Sequence, residues 1–239
     1  MRLSRVVFVS FLFLALAALA ATAGKQAAAS GDRPWTAADI DRYPVASIAM
    51  LPPATYDGSA EARKLVEQAV GQVLKGSGHR WVSPFLVRDQ LMKNGGDSLA
   101  KAINDKLLKD PRLDSLDAPR LSRMLRARAL LTVRVDEMER RELELDQSGR
   151  PSTSIQLRAA LVDSTGRLLW TLASSETVEG AQQEAGANVI GVKSSGLNTT
   201  PVGNTVPAPT YQEVLAKMCL RWPDYFPKRA APDSSGTAK

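Results

Sequence analysis

Apolar and polar residues change period several times along the chain, and each change marks an element. The first apolar run, Val6 to Ala21, is broken only by Ser10. It follows a positive head, Met1-Arg2-Leu3-Ser4-Arg5, and ends in the small residues Ala21-Thr22-Ala23. A run shorter than a membrane span, with this head and this small-residue end, predicts a secretory signal peptide over 1–23. Residues 24–43 are mostly small and polar and predict a flexible tether. Val45 to Leu51 is almost continuously apolar and stops at Pro52-Pro53, the pattern of a short strand covered on both faces.

The period then lengthens. Ala62, Leu65, Val66, Ala69, Val70, Val73 and Leu74 recur at three- and four-residue steps and predict one face of a helix, stopped by Gly76-Ser77-Gly78. Trp81 and Val82 mark a short strand. Ser83-Pro84 opens a helix that runs to Asn94-Gly95, because proline at the first helical position loses no bond. Further helices are predicted from about Leu99 to Lys109 and, capped by Asp117, from Ala118 to about Arg128.

Downstream the period falls to two. Leu131, Val133 and Val135 alternate with polar neighbours; so do Ile155, Leu157, Ala159 and Leu161, and then Leu168, Trp170 and Leu172. Turns at Gln147–Pro151 and Asp163–Gly166 join these strands as an antiparallel meander. Residues 180–209 lack aromatics, are rich in Gly, Asn, Ser, Thr and Pro, and predict a linker or long loop. Thr210 and Glu213 form a capping box for a helix from Tyr211 to about Leu220. The segment 210–228 is thus a C-terminal helix with aromatics, and 229–239 a disordered tail. The fold class is α/β: a mixed sheet of about five strands, spanning 44–179, with helices packed on it.

Composition narrows the chemistry. The formal net charge is +6, and loss of Arg2 and Arg5 with the signal leaves +4. That mild excess permits anionic partners, while export argues against nucleic acid. Cys219 is the only cysteine, so no intramolecular disulfide can form, and its apolar neighbours predict a buried thiol. His79 is the only histidine, which excludes a multi-histidine metal site. No nucleophile elbow and no phosphate-binding glycine loop occurs. No catalytic residue, metal or cofactor is expected. Asp136, Glu137, Glu139, Glu142 and Glu144 could supply a carboxylate pair for glycan cleavage, but they interleave with Arg134, Arg140 and Arg141 in the manner of cross-strand ion pairs.

Three stretches carry a resemblance. They are Ser47-Ile48-Ala49-Met50-Leu51-Pro52-Pro53 with the helix after it, Ala127-Arg128-Ala129-Leu130-Leu131-Thr132-Val133, and Leu161-Val162-Asp163-Ser164-Thr165-Gly166-Arg167-Leu168-Leu169-Trp170. Over about residues 45–179 the chain resembles bacterial envelope domains of the type found in the curli-secretion protein CsgG, the penicillin-binding-protein activator LpoB and the amino-terminal domain of TolB. In that group the last stretch is a strand, a tight turn and a strand ending in a core tryptophan. The resemblance implies a largely non-catalytic role in binding or scaffolding envelope components. The lipid-bearing cysteine that many members carry is absent here.

Two surfaces are candidates for partner binding. Tyr211, Trp222, Tyr225 and Phe226 fall within sixteen residues and either anchor a partner or fold back on the sheet. Arg120, Arg123 and Arg126 recur every three residues, as a solvated helix face or an anion-binding stripe. The expected function is an exported, non-catalytic binding or assembly protein of the bacterial cell envelope, periplasmic or secreted. Its partner would be another envelope protein, such as wall-synthesis or secretion machinery, with peripheral contact to the outer membrane allowed. Two alternatives stay open: an envelope glycan hydrolase using paired carboxylates, and a binder of anionic lipid or polysaccharide.

Overall fold

The computed structural model describes residues 31–43, 45–144, 147–182 and 205–228. The expected signal peptide, most of the expected linker and the tail lie outside them. The described residues form eight strands: β1 (Gly31–Thr36), β2 (Ser47–Met50), β3 (Arg80–Val82), β4 (Ala129–Arg141), β5 (Leu143–Glu144), β6 (Ser152–Asp163), β7 (Leu168–Glu179) and β8 (Thr205–Val206). The helices are α1 (Ala60–Gly76), α2 (Pro84–Lys109), α3 (Asp117–Leu125), α4 (Tyr211–Cys219) and the single turn α5 (Trp222–Tyr225).

Six strands form one mixed sheet in the order β1-β7-β6-β4-β2-β3, and β5 pairs with β8 apart from it. β2 runs parallel to both β3 and β4, whereas β4, β6, β7 and β1 pair antiparallel in turn. Since β3 and β4 flank β2 on opposite sides, the connections β2-α1-β3 and β3-α2-α3-β4 run in opposite directions. Two crossovers of one hand then place their helices on opposite faces. The packing follows that rule. Val66, Val70 and Leu74 of α1 join Val214, Met218 and Trp222 over Ile48, Met50, Leu131 and Leu157. Val87 and Leu107 of α2 join Leu121 and Leu125 of α3 over Ala49, Leu51, Leu130 and Val162. The alternation of β2 between the two clusters is why its sequence is apolar throughout, with Ile48, Ala49 and Met50 fully buried.

Several expectations change. The sheet has six strands, because residues 31–36 of the expected tether form the edge strand β1. Its side chains are nearly all exposed, so no apolar alternation marked it; backbone pairing to β7 holds it. The two helices expected on either side of Asn94-Gly95 are joined into α2, with a kink at Gly96, whose φ of 60° and ψ of −159° suit glycine alone. Asp114, rather than Asp117, caps α3: its Oδ1 accepts from the N–H groups of Leu116 (3.0 Å) and Asp117 (2.7 Å). Thr205–Val206, within the expected linker, pair with β5.

Other sequence signals appear in the structure as read. Thr210 and Glu213 close the capping box of α4, with Glu213 N–H donating to Thr210 Oγ1 (3.3 Å) and Thr210 N–H donating to Glu213 Oε2 (2.8 Å). The turn after β6 is tied by Asp163 Oδ1, which accepts from Thr165 N–H (2.7 Å) and Arg167 N–H (3.0 Å). Gly166 there has φ of +90°, and a Cβ would stand 2.8 Å from the Ser115 Cα. Glycine is required both by the turn and by the close approach of the loop before α3.

Candidate functional site

Cys219, His79, Asp136, Glu137 and Glu142 are occupied in holding the fold. Cys219 is buried, and burial pushes its thiol up to about 12, so it is a packing residue. His79 Nδ1 faces the Val45 carbonyl at 2.6 Å and its Nε2 faces the Pro227 carbonyl at 2.9 Å, joining the entry to β2 to the end of the C-terminal segment. Asp136 sits at the β-bulge between Val135 and Glu137 and is held by Arg134 (2.6 Å) and, across the strands, by Arg158 (2.7 Å). Glu137 accepts from Gln156 at 2.5 Å, and Glu142 pairs with Arg140 at 3.0 Å. Among the described residues no group of three or more His, Cys, Asp or Glu could hold a metal ion. No described helix is long and apolar enough to cross a membrane.

The C-terminal aromatics divide. Trp222 and Phe226 are buried and pack edge-on to Trp170, with ring centroids 6.3 Å and 5.1 Å away, so these two fold back on the sheet. Tyr211 and Tyr225 are half-buried at the margin of the same core. Arg221 clamps the segment in place. Its guanidinium donates to Asp32 Oδ2 (2.6 Å) and Glu176 Oε2 (2.5 Å), and Lys217 reaches Glu176 Oε1 at 2.9 Å. The Asp32 and Glu176 side chains are only 3% and 4% exposed, so β1, β7 and α4 meet at a nearly buried ion cluster.

Two concave surfaces stand out among the described residues. The first is an apolar groove of about 870 Å³ between α1 and α4, closed by Trp81, Pro84 and Pro223. Leu215 and Leu220 belong to its wall, and Leu220 is 78% exposed. Nearby in the chain, Phe85 follows Pro84 and is 69% exposed.

The second is a depression of about 650 Å³ at the start of the parallel strands. It is lined by Arg80, Arg123, Arg126 and Arg128, with Ser47, Ser122 and Ser164. The register explains the grouping. Arg80 opposes Ser47 across β3 and β2, while the Arg128 N–H donates to the Ser47 carbonyl (3.1 Å) from the other side. Arg123 is in the last turn of α3, and Arg126 follows as its cap with φ of 50° and ψ of 41°. The Ser164 contribution comes from the turn joining β6 to β7. Of the arginines singled out in the sequence, Arg123 and Arg126 therefore meet here, and Arg120 is exposed outside the lining. Arg80 and Arg128 were not legible as partners of this stripe. Arg128 alternates with Arg126, but Arg80 lies far away in sequence and arrives only through parallel strand pairing.

No family model and no curated protein matches the chain. Solved structures do. The chain is similar to the PelC dodecamer protein of Paraburkholderia phytofirmans, at 15% identity over 63% of this chain and 82% of that one, with a TM-score of 0.39. It is similar to lipoprotein GNA1162 of Neisseria meningitidis, at 18% identity over 60% of this chain and 89% of that one, with a TM-score of 0.42. It is also similar to the LpoB C-terminal domain of Salmonella enterica, at 14% identity over 57% of this chain and 84% of that one, with a TM-score of 0.31. At these identities and scores the likeness transfers neither a partner nor an activity to this chain.

Proposed function

We propose that this chain is a non-catalytic binding or assembly protein of the bacterial cell envelope that acts by recognising another envelope protein at its surface. The apolar groove between α1 and α4 carries this reading. Its wall combines Leu215, Leu220 and Trp81 with the polar Gln68, Gln72 and Gln212, the mixed composition of a protein interface. A leucine left 78% exposed beside such a groove is a contact in waiting, since an apolar side chain there gains by leaving water. The ion-paired state of Asp136 and Glu142 and the burial of Cys219 support a binding role over a hydrolytic one.

The test is a photo-crosslinker at Leu220 in the living cell, with Leu220→Asp compared by pull-down. The reading expects one envelope protein crosslinked at this position and lost from the Leu220→Asp pull-down. Equal recovery with the variant, or no crosslinked protein, overturns it. The hydrolase alternative expects wall-glycan turnover that falls with Glu137→Gln or Glu139→Gln.

A further inference from the structure

The depression at the start of β2, β3 and β4 gathers more positive charge than the fold needs. Arg80, Arg123, Arg126 and Arg128 converge on it, and its lining contains no carboxylate. None of the four makes an ion pair with a described acidic side chain, although Arg112, Arg134, Arg158, Arg167 and Arg221 all do. Two of them bond to backbone: Arg80 Nη2 donates to the Arg126 carbonyl (3.3 Å) and Arg123 Nε to the Pro119 carbonyl (3.2 Å). Four like charges held around one concavity repel one another, and an anion between them relieves that repulsion.

A second observation points the same way. Ser122 lines the depression and is 4% exposed, and its Oγ is buried without a hydrogen-bond partner. A buried hydroxyl left unpaired is unusual enough to call for a missing partner. A third is Arg126 itself. It is the sole non-glycine residue with positive φ among those described, at a helix end where glycine is the usual occupant. The chain holds an arginine in a conformation that disfavours it, and so presents that side chain beside Arg123 and Arg128.

We infer that this depression is a binding site for a phosphoryl group, a phosphomonoester or a diphosphate. Guanidinium forks match the oxygens of phosphate, and serine hydroxyls can donate to the same oxygens. A charge of four arginines is answered better by a compact multivalent anion than by a single carboxylate. The site is separate from the apolar groove and stands or falls independently of the protein partner proposed there. The phosphoryl group can come from a soluble ester or from a lipid headgroup.

The experiment uses the full chain at low salt in two arms. One is calorimetric titration with inorganic pyrophosphate; the other is co-sedimentation with phosphatidylcholine vesicles that contain or lack phosphatidic acid. Arg123→Ala and Arg126→Gly are compared with Arg141→Ala, an equal change of charge at the far end of β4, and folding of each is checked by thermal unfolding. The inference expects pyrophosphate affinity to drop about tenfold or more in the first two variants and by less than about twofold in the third. Vesicle binding that needs phosphatidic acid and follows the same order assigns the site to a lipid headgroup; pyrophosphate binding without it assigns a soluble ester. Absence of binding in both arms, or equal weakening by Arg141→Ala, overturns the site. So does a polyglutamate peptide that binds there and is not displaced by pyrophosphate. Loss of the site leaves the Leu220 crosslink unaffected.

Discussion

Single residues in this chain carry tasks that their type alone does not announce. Arg126 has φ of 50°, where a Cβ crowds the backbone, and its side chain makes no ion pair with a described acidic residue. Arg126→Gly removes that crowding and loses only an exposed side chain. It will therefore raise stability by about 1 kcal/mol, measured by urea denaturation. A residue that stabilises the fold when replaced, yet weakens pyrophosphate binding, has a role other than folding. Gly166 is the reverse case. Its φ of +90° and the 2.8 Å approach to Ser115 leave no room for a methyl group. Gly166→Ala will cost about 2 kcal/mol or more by the same measurement. Arg134 is nearly buried and useful in a third way, since its guanidinium donates to the Leu108 carbonyl (3.0 Å) at the end of α2, where a cation also suits the helix dipole.

At the scale of elements, the cluster of Asp32, Glu176, Lys217 and Arg221 decides how the edge strand and the C-terminal helix are held. Burial pushes the Glu176 carboxyl up, but hydrogen bonds from Lys217 and Arg221 outweigh it and hold the group below its ordinary value. The folded chain thus binds this proton less tightly than the unfolded one. Its stabilisation is complete above the ordinary value near 4.5 and is lost as pH falls through the lower folded value. Stability will decline on acidification below about pH 4.5, and more shallowly in Glu176→Gln, as followed by denaturation at a series of pH values. Arg221→Ala removes the cation from the nearly buried Asp32 and leaves Glu176 with Lys217 alone. It will cost about 2 kcal/mol at neutral pH, less than for a fully buried pair because the guanidinium is one-third exposed (33%).

For the whole molecule, the C-terminal segment belongs to the main core. Val214, Met218, Trp222 and Phe226 complete the cluster around Trp170 on one face of the sheet. Trp222→Ala will cost about 4 kcal/mol, and a chain ended after Glu179 will lose its cooperative unfolding transition, as read by near-ultraviolet circular dichroism. Leu220→Asp, two residues before Trp222 and exposed, will leave the transition within about 0.5 kcal/mol of the parent. The contrast separates residues that hold the fold from those that face a partner.

Local periodicity determined much of this protein by itself. The helix of α1, the alternation of β4 and β6, the turn at Asp163–Gly166 and the capping box of α4 are written in short windows, because each depends on neighbours within a few residues. The edge strand β1 could not be read this way: its pairing to β7 uses backbone groups, and its side chains other than Asp32, which meets Arg221, stay exposed. Burial of Trp222 and Phe226, rather than their exposure, was settled by what stands opposite them, Trp170 some fifty residues upstream. The four-arginine depression was settled in the same way. Arg123 and Arg126 show in the sequence as a stripe, but Arg80 joins them only because two parallel strands place it opposite Ser47. Parallel pairing brings together residues separated by a whole crossover, and that juxtaposition leaves no local signal in the chain.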